Sequence, residues 1–363
     1  MKVDKIQEKI VKESLSSFFV SSQPNIFYLS RFKSSNAFIL LTPDKKIFIT
    51  DSRYYEGAKE KLKGWELILL GKDNKNQMEH LREILNEYGG ERIGFEEDRT
   101  TIFFYKKLVN KEGKKEERLK GELIGYAGFF DEFRISKTEE EIQIIKEAVF
   151  KTDKVFKQIV DYIPKAKNEL DLRREIINSI FIEGGTGESF PAIVASGKNS
   201  AIPHHETSYQ KIEKNSPVLI DMGMVYRGYC SDFTRVVFYG KVDPEIEKIY
   251  EIVKEAHLKA VEKVKAGVPV REIDEAARSV IKKYGYGDYF IHSTGHGVGI
   301  EIHEPPRVSE KSEEILQENT VITIEPGIYI PEKGGVRLEN IVVVRKNSCE
   351  ILTETPLDKV YIR

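Results

Sequence analysis

Val218-Leu219-Ile220-Asp221-Met222-Gly223 is an apolar run that closes on a carboxylate, and Ser231-Asp232-Phe233-Thr234-Arg235 opens the next apolar run with another. Both runs read as strands, with Tyr226-Arg227-Gly228-Tyr229 as the turn between them. Paired antiparallel, they bring Asp221 and Asp232 to one end of a ladder. Like charges placed together are costly unless a cation sits between them. For either aspartate alone, capping a turn at a strand end is the better reading.

Three segments further along extend the pattern. Glu325 follows Val321-Ile322-Thr323-Ile324 directly, and Pro326-Gly327 ends that strand. Glu339 lies in a β-rich run over residues 336–344. Burying a carboxylate in either place is expensive without a partner. His296 lies between Gly295 and Gly297, where the backbone can approach a ligand and no helix forms. Four carboxylates and one imidazole can hold two divalent ions about 3.5–4 Å apart, with shared carboxylates bridging them. Their negative charge roughly cancels two dications. Oxygen-rich ligation with one nitrogen favours Mn²⁺ and permits Co²⁺, Zn²⁺ or Fe²⁺.

Around this constellation the chain alternates helix and strand. Thr138-Glu139-Glu140-Glu141 is a capping box and opens a helix carrying Ile142, Ile145, Val149, Phe156 and Ile159. Further helices are expected near residues 170–183, 244–265 and 270–284, with strands over 217–224, 233–239, 321–324 and 336–345. Before residue 134 the pattern differs. Short β-branched or aromatic runs at 17–22, 36–41, 46–50, 65–70 and 92–95 mix with helical stretches at 53–62 and 76–88. The chain therefore reads as two domains, 1–133 and 134–363, and the first carries no catalytic cluster.

Composition narrows the function. With 363 residues and 40% hydrophobic residues, two cores can be filled. The net charge of −2 gives no field for nucleic acid or an anionic membrane. The basic stretch over 106–120 also carries Glu112, Glu116 and Glu117, so it reads as a solvated loop. No apolar run approaches the roughly 18–20 residues of a membrane span. Two cysteines, Cys230 and Cys349, fit a reducing, cytoplasmic setting.

The ordered series Asp221, Asp232, His296, Glu325, Glu339 resembles the pita-bread metallopeptidases, which include methionine aminopeptidase, aminopeptidase P and prolidase. The resemblance covers residues 142–363, and residues 1–133 look like a creatinase-type α/β N-terminal domain. It implies an α+β pita-bread catalytic domain in which Asp221 binds one ion and Asp232 and Glu339 bridge both. His296 and Glu325 would bind the other ion, with Glu325 moving the proton of an attacking water. Three histidines match positions used by the proline-specific branch. His204, in Ile202-Pro203-His204-His205, resembles the one near the substrate carbonyl. His292 and His303 resemble those that contact substrate and stabilise the tetrahedral intermediate. Arg337 looks like the arginine that orients a ligand carboxylate. His205 reads as an exposed loop histidine. The resemblance also implies a homodimer.

The substrates so implied are small peptides with proline second. Methionine aminopeptidase lacks a comparable N-terminal domain, and the metal-free creatinase and the binding scaffolds of the fold do not keep all five ligands. Within the proline-specific branch, an Xaa-Pro aminopeptidase is favoured over an Xaa-Pro dipeptidase. The choice depends on a cation to capture the proline carboxylate. Arg307, in Glu304-Pro305-Pro306-Arg307, is the candidate, with a surface arginine as the competing reading.

Overall fold

A computed structural model describes residues 2–110 and 118–363. Residues 111–117 of the expected charged loop thus lie outside the described residues. The chain forms two units, 1–133 and 134–363.

The first unit is built on β1 (Ser17–Val20), β2 (Ala37–Leu41), β3 (Lys46–Thr50), β4 (Glu66–Leu69), β5 (Arg92–Glu96) and β6 (Glu122–Tyr126). They form one mixed sheet in the order β4-β3-β2-β1-β5-β6. Phe19, Leu40, Ile47, Ile49 and Ile93 pack with Leu81, Ile84 and Leu85 of the helix Gln77–Tyr88. The hairpin after Leu41 is held by Thr42, whose hydroxyl accepts from the Lys45 amide at 2.9 Å. Helices Gln23–Ser30 and Ile102–Val109, and strand β6, were not expected from the pattern. Gln23–Ser30 buries Asn25, Ile26, Tyr28 and Leu29 on one face, but that face includes the polar Asn25 while the apolar Phe27 lies off it, so no apolar stripe marks it in the sequence.

The second unit has two sheets. β7 (Ile193–Ser196), β8 (Ser216–Met222), β11 (Phe233–Tyr239) and β19 (Val360–Ile362) make the first, with the short hairpin β9 (Val225–Tyr226)–β10 (Tyr229–Cys230) joining β8 to β11. The second contains β12 (Gly295–Gly297), β13 (Glu304–Val308), β14 (Val321–Ile324), β17 (Asn340–Val344) and β18 (Cys349–Ile351), in the order β13-β12-β14-β17-β18. A hairpin of β15 (Gly327–Ile330) and β16 (Gly334–Arg337) links β14 to β17. The run expected as one strand over 336–345 is thus two, broken at Leu338-Glu339.

Helices Glu139–Tyr162 and Glu169–Ile182 share a core with Val218, Ile220, Phe233 and Val237. Helices Pro244–Lys263 and Val270–Lys283 share another with Leu219, Val236, Phe238, Ile322, Ile324 and Val342. The capping box forms as read: the Thr138 hydroxyl accepts from Glu141 N, and the Glu141 carboxylate from Thr138 N. The period-2 alternation of β8 and β11 divides their side chains between these cores. Asp221 shares the parity of Leu219, and Thr234 that of Val236 and Phe238. In β14, Ile322 and Ile324 join the helical core, which leaves Thr323 and Glu325 on the opposite face.

Candidate metal centre

β8 and β11 pair antiparallel with Asp221 opposite Thr234, and Asp232 stands just before β11. Thr234 connects this sheet to the other. Its hydroxyl donates to Glu339 Oε2 at 2.7 Å, and its carbonyl accepts from Glu339 N at 3.2 Å. The fully buried Arg235 adds bonds to the Glu339 carbonyl, to Asn340 Oδ1 at 2.7 Å and to the Thr355 carbonyl at 2.5 Å. The break at Leu338-Glu339 is therefore pinned from the neighbouring sheet.

His296 occupies the middle of a three-strand crossing. A Cβ on Gly295 would lie 2.0 Å from the Thr323 carbonyl oxygen, and one on Gly297 would lie 2.3 Å from that of Pro305. The flanking glycines thus admit the carbonyls of β13 and β14. They were read as letting the backbone approach a ligand in a non-helical stretch; here they instead make room for the neighbouring strands, with His296 on β12. Its Nδ1 donates to the Gly297 carbonyl at 3.0 Å, which directs Nε2 towards Glu325 at 3.3 Å and Asp232 at 3.5 Å. Thr323 sets both partners: its hydroxyl accepts from His296 N at 3.0 Å and donates to Glu325 Oε1 at 3.1 Å.

Asp232, His296 and Glu339 offer ligand atoms that all lie within 4.8 Å of one another. Asp221 and Glu325 flank them. One oxygen of Asp221 takes a 2.5 Å ion pair from Arg337 Nη2. Its other oxygen, and Glu339 Oε1, are buried without a hydrogen-bond partner. Orphaned charged oxygens cost more than the roughly 1–3 kcal/mol of a neutral polar group. Burial pushes the Asp221, Asp232 and Glu339 carboxyls up, and carboxylate repulsion adds to it. For Glu325 burial acts the same way, but its contact with His296 prevails and holds it below the usual range. Burial likewise opposes a charged His296, yet Glu325 holds that imidazole above its usual value. Hard and borderline donors with two orphaned oxygens fit divalent ions.

A cleft of about 770 Å³ is lined by all five of these residues and by His204, His292, His303, Arg307 and Arg337. His303 is exposed and packs edge-on against His296, with ring centroids 4.4 Å apart. Burial and the neighbouring His296 charge keep it on the neutral side. Its ring nitrogens and those of His204 have no hydrogen-bond partner among the described residues. His292 differs. Nδ1 donates to the Ser293 carbonyl at 2.8 Å, and Nε2 accepts from the Tyr329 hydroxyl at 2.8 Å. Both nitrogens are engaged, so in this arrangement it has no donor left for a substrate.

Tyr329 was missed in the sequence, as were Thr234 and Thr323. Burial pushes its phenol up to about 12, and Arg337 Nη1 donates to it at 2.7 Å. Thr323 and Tyr329 are each the single hydroxyl in a short apolar strand, which was the available signal, whereas Thr234 shares its strand with Arg235 and Tyr239. His205 was misread as exposed. Its ring is only 11% accessible and lies 2.8 Å from the fully buried Glu169.

The fold and this centre define a metal-dependent peptidase. The chain belongs to metallopeptidase family M24, whose model matches residues 143–346, and residues 2–136 match the creatinase/prolidase N-terminal domain. The Xaa-Pro dipeptidase of Pyrococcus horikoshii is 37% identical over 98% of this chain and 97% of its own. Among solved structures, the Xaa-Pro dipeptidase from Bacillus anthracis superposes with a TM-score of 0.93 at 33% identity, covering 99% of each chain. The X-Pro aminopeptidase from Thermotoga maritima gives 0.89 at 32% identity, covering 98% of this chain and 99% of its own.

Proposed function

We propose that the protein is an Xaa-Pro dipeptidase, hydrolysing the bond before proline in dipeptides. The aminopeptidase favoured from sequence gives way to its alternative, since named dipeptidases match this chain at 37% identity along nearly its whole length. The observation that carries the choice is Arg307. It is exposed, lines the cleft, faces His296 in the β12–β13 ladder, and has no ion-pair partner among the described residues. An unpaired guanidinium there suits a free proline carboxylate.

Within this reading, Asp221, Asp232, His296, Glu325 and Glu339 hold two divalent ions, with Mn²⁺ the favoured metal. Bound there, the ions polarise the scissile carbonyl and lower the pKa of a water. Glu325 takes the proton of the attacking water and passes it to the proline nitrogen. His303 donates to the carbonyl oxygen as negative charge develops, and His204 contacts the substrate from the opposite loop. His292 works through Tyr329 and Arg337, which orients Asp221. The chain acts as a homodimer in the cytoplasm, with residues 1–133 and 134–363 as its domains.

One observation favours the aminopeptidase reading. A second cavity of about 600 Å³, bordered by Phe290, Ile291 and residues 309–314, shares His292, Ser293 and Arg307 with the cleft. A chain continuing beyond proline has room there. Assaying the Mn²⁺-loaded protein on an Xaa-Pro dipeptide and on an Xaa-Pro-Yaa tripeptide decides between them. Dipeptide cleavage alone is the expected result; efficient tripeptide cleavage sinks the dipeptidase reading.

A further inference from the structure

We propose that Glu169 is a positioning residue that sets the place of His204, an inference that rests on His204 meeting substrate as described above. Glu169 is the first residue of the helix Glu169–Ile182 and is fully buried. The positive end of that helix favours a carboxylate there. Among the described residues, the one ring nitrogen Glu169 meets is Nε2 of His205.

Five donors converge on Glu169, all from one segment of chain. Oε1 accepts from Ser196 N at 2.9 Å and Asn199 Nδ2 at 2.8 Å. Oε2 accepts from His205 Nε2 at 2.8 Å, Ser208 Oγ at 2.8 Å and Ser208 N at 3.1 Å. The segment between the first and last of these contacts carries His204. Apolar packing does little to hold its tip: Ile202 is 52% exposed, and His204 and Glu206 are exposed too. Its order comes from a polar grip at both ends.

A second grip comes from the strand next to the metal centre. Gly335 N donates to Ser200 Oγ at 2.9 Å, and Arg337 Nη1 reaches the Pro203 carbonyl at 3.4 Å. The loop is thus suspended between Glu169 and β16, whose last residue also holds Asp221. Thr207, bonded to Val194 N and the Ala192 carbonyl, and the Ser208 carbonyl still anchor the far end when the Glu169 carboxylate is lost, but the His205 ring beside His204 is then released. A shift of about 1 Å at a reacting group can cost on the order of 10²-fold in rate.

The test combines Glu169→Gln with His204→Ala. Gln replaces one acceptor oxygen by a donor that opposes the donors already there. We expect kcat on an Xaa-Pro dipeptide to fall about 10-fold to 100-fold, with metal content unchanged. Added to His204→Ala, Glu169→Gln should cost less than about twofold more. Full additivity of the two losses overturns the inference. Ser208→Ala removes one donor, serves where Glu169→Gln fails to fold, and should show the same non-additivity at smaller size. A wild-type protein that cuts no Xaa-Pro peptide sinks the functional reading by itself. The positioning inference is then still read from the His204 imidazole NMR signals, assigned with His204→Ala. They must move or broaden in Glu169→Gln; unchanged signals overturn it.

Discussion

Arg307 stands directly opposite His296, a member of the metal cluster, across the β12–β13 pair. Replacing it with Ala should raise KM for an Xaa-Pro dipeptide about 10-fold to 100-fold, as for the loss of a charged hydrogen bond. Cleavage of a C-terminally amidated substrate should not change. If both substrates respond alike, Arg307 does not read the carboxylate.

Asp232→Asn and Glu339→Gln each remove one charge from a buried group of like charges. Both variants should lose activity and bind fewer than the wild-type number of ions, measured by elemental analysis. Chelation of the wild type should lower its melting midpoint, and added Mn²⁺ should restore it in a concentration-dependent way. An active, metal-replete Asp232→Asn protein contradicts the assignment.

His303→Ala should separate chemistry from ligation. The ring touches the His296 ring but no carboxylate of the cluster, so metal content should stay at the wild-type level. Turnover should fall by roughly 10²–10³-fold if the imidazole stabilises developing charge. Loss of the ions instead would make His303 part of the ligand set.

His257 gives a stability prediction remote from the centre. It is fully buried on the helix Pro244–Lys263, and neither ring nitrogen has a partner among the described residues. Burial, helped by the Arg235 charge, lowers its pKa from 6.5 to about 3. Above pH 6.5 the ring is neutral in both states and adds no pH dependence. As pH falls below 6.5 the unfolded chain takes up a proton that the native one refuses, so stability drops down to pH 3. The loss reaches about 5 kcal/mol at the bottom of that window. His257→Leu should flatten denaturation midpoints between pH 6 and 4; a wild-type slope in the variant refutes this.

The antiparallel approach of Asp221 and Asp232 was legible because apolar runs, a turn and two carboxylates sit within one short segment. Glu325 and Glu339 were legible as carboxylates where strands should be apolar. What makes them a site was not. Thr234 and Arg235 bind a connection more than a hundred residues later in the chain, and Tyr329 joins Arg337 to His292 across a hairpin. Such pairings follow from how the two sheets face each other, and no local periodicity encodes that. His205 was misread because its partner, Glu169, lies on a helix that looked purely structural.

The five residues proposed as ligands are shared out between the two sheets, Asp221 and Asp232 at one and the other three at its neighbour. During synthesis from the N-terminus, Glu339 is the last of them to leave the ribosome. Until then the neighbouring sheet lacks β17 and β18, and no shorter nascent chain carries all five residues. If these five residues hold the ions, a chain stopped anywhere before Glu339 is left as an inert fragment rather than a loose peptidase.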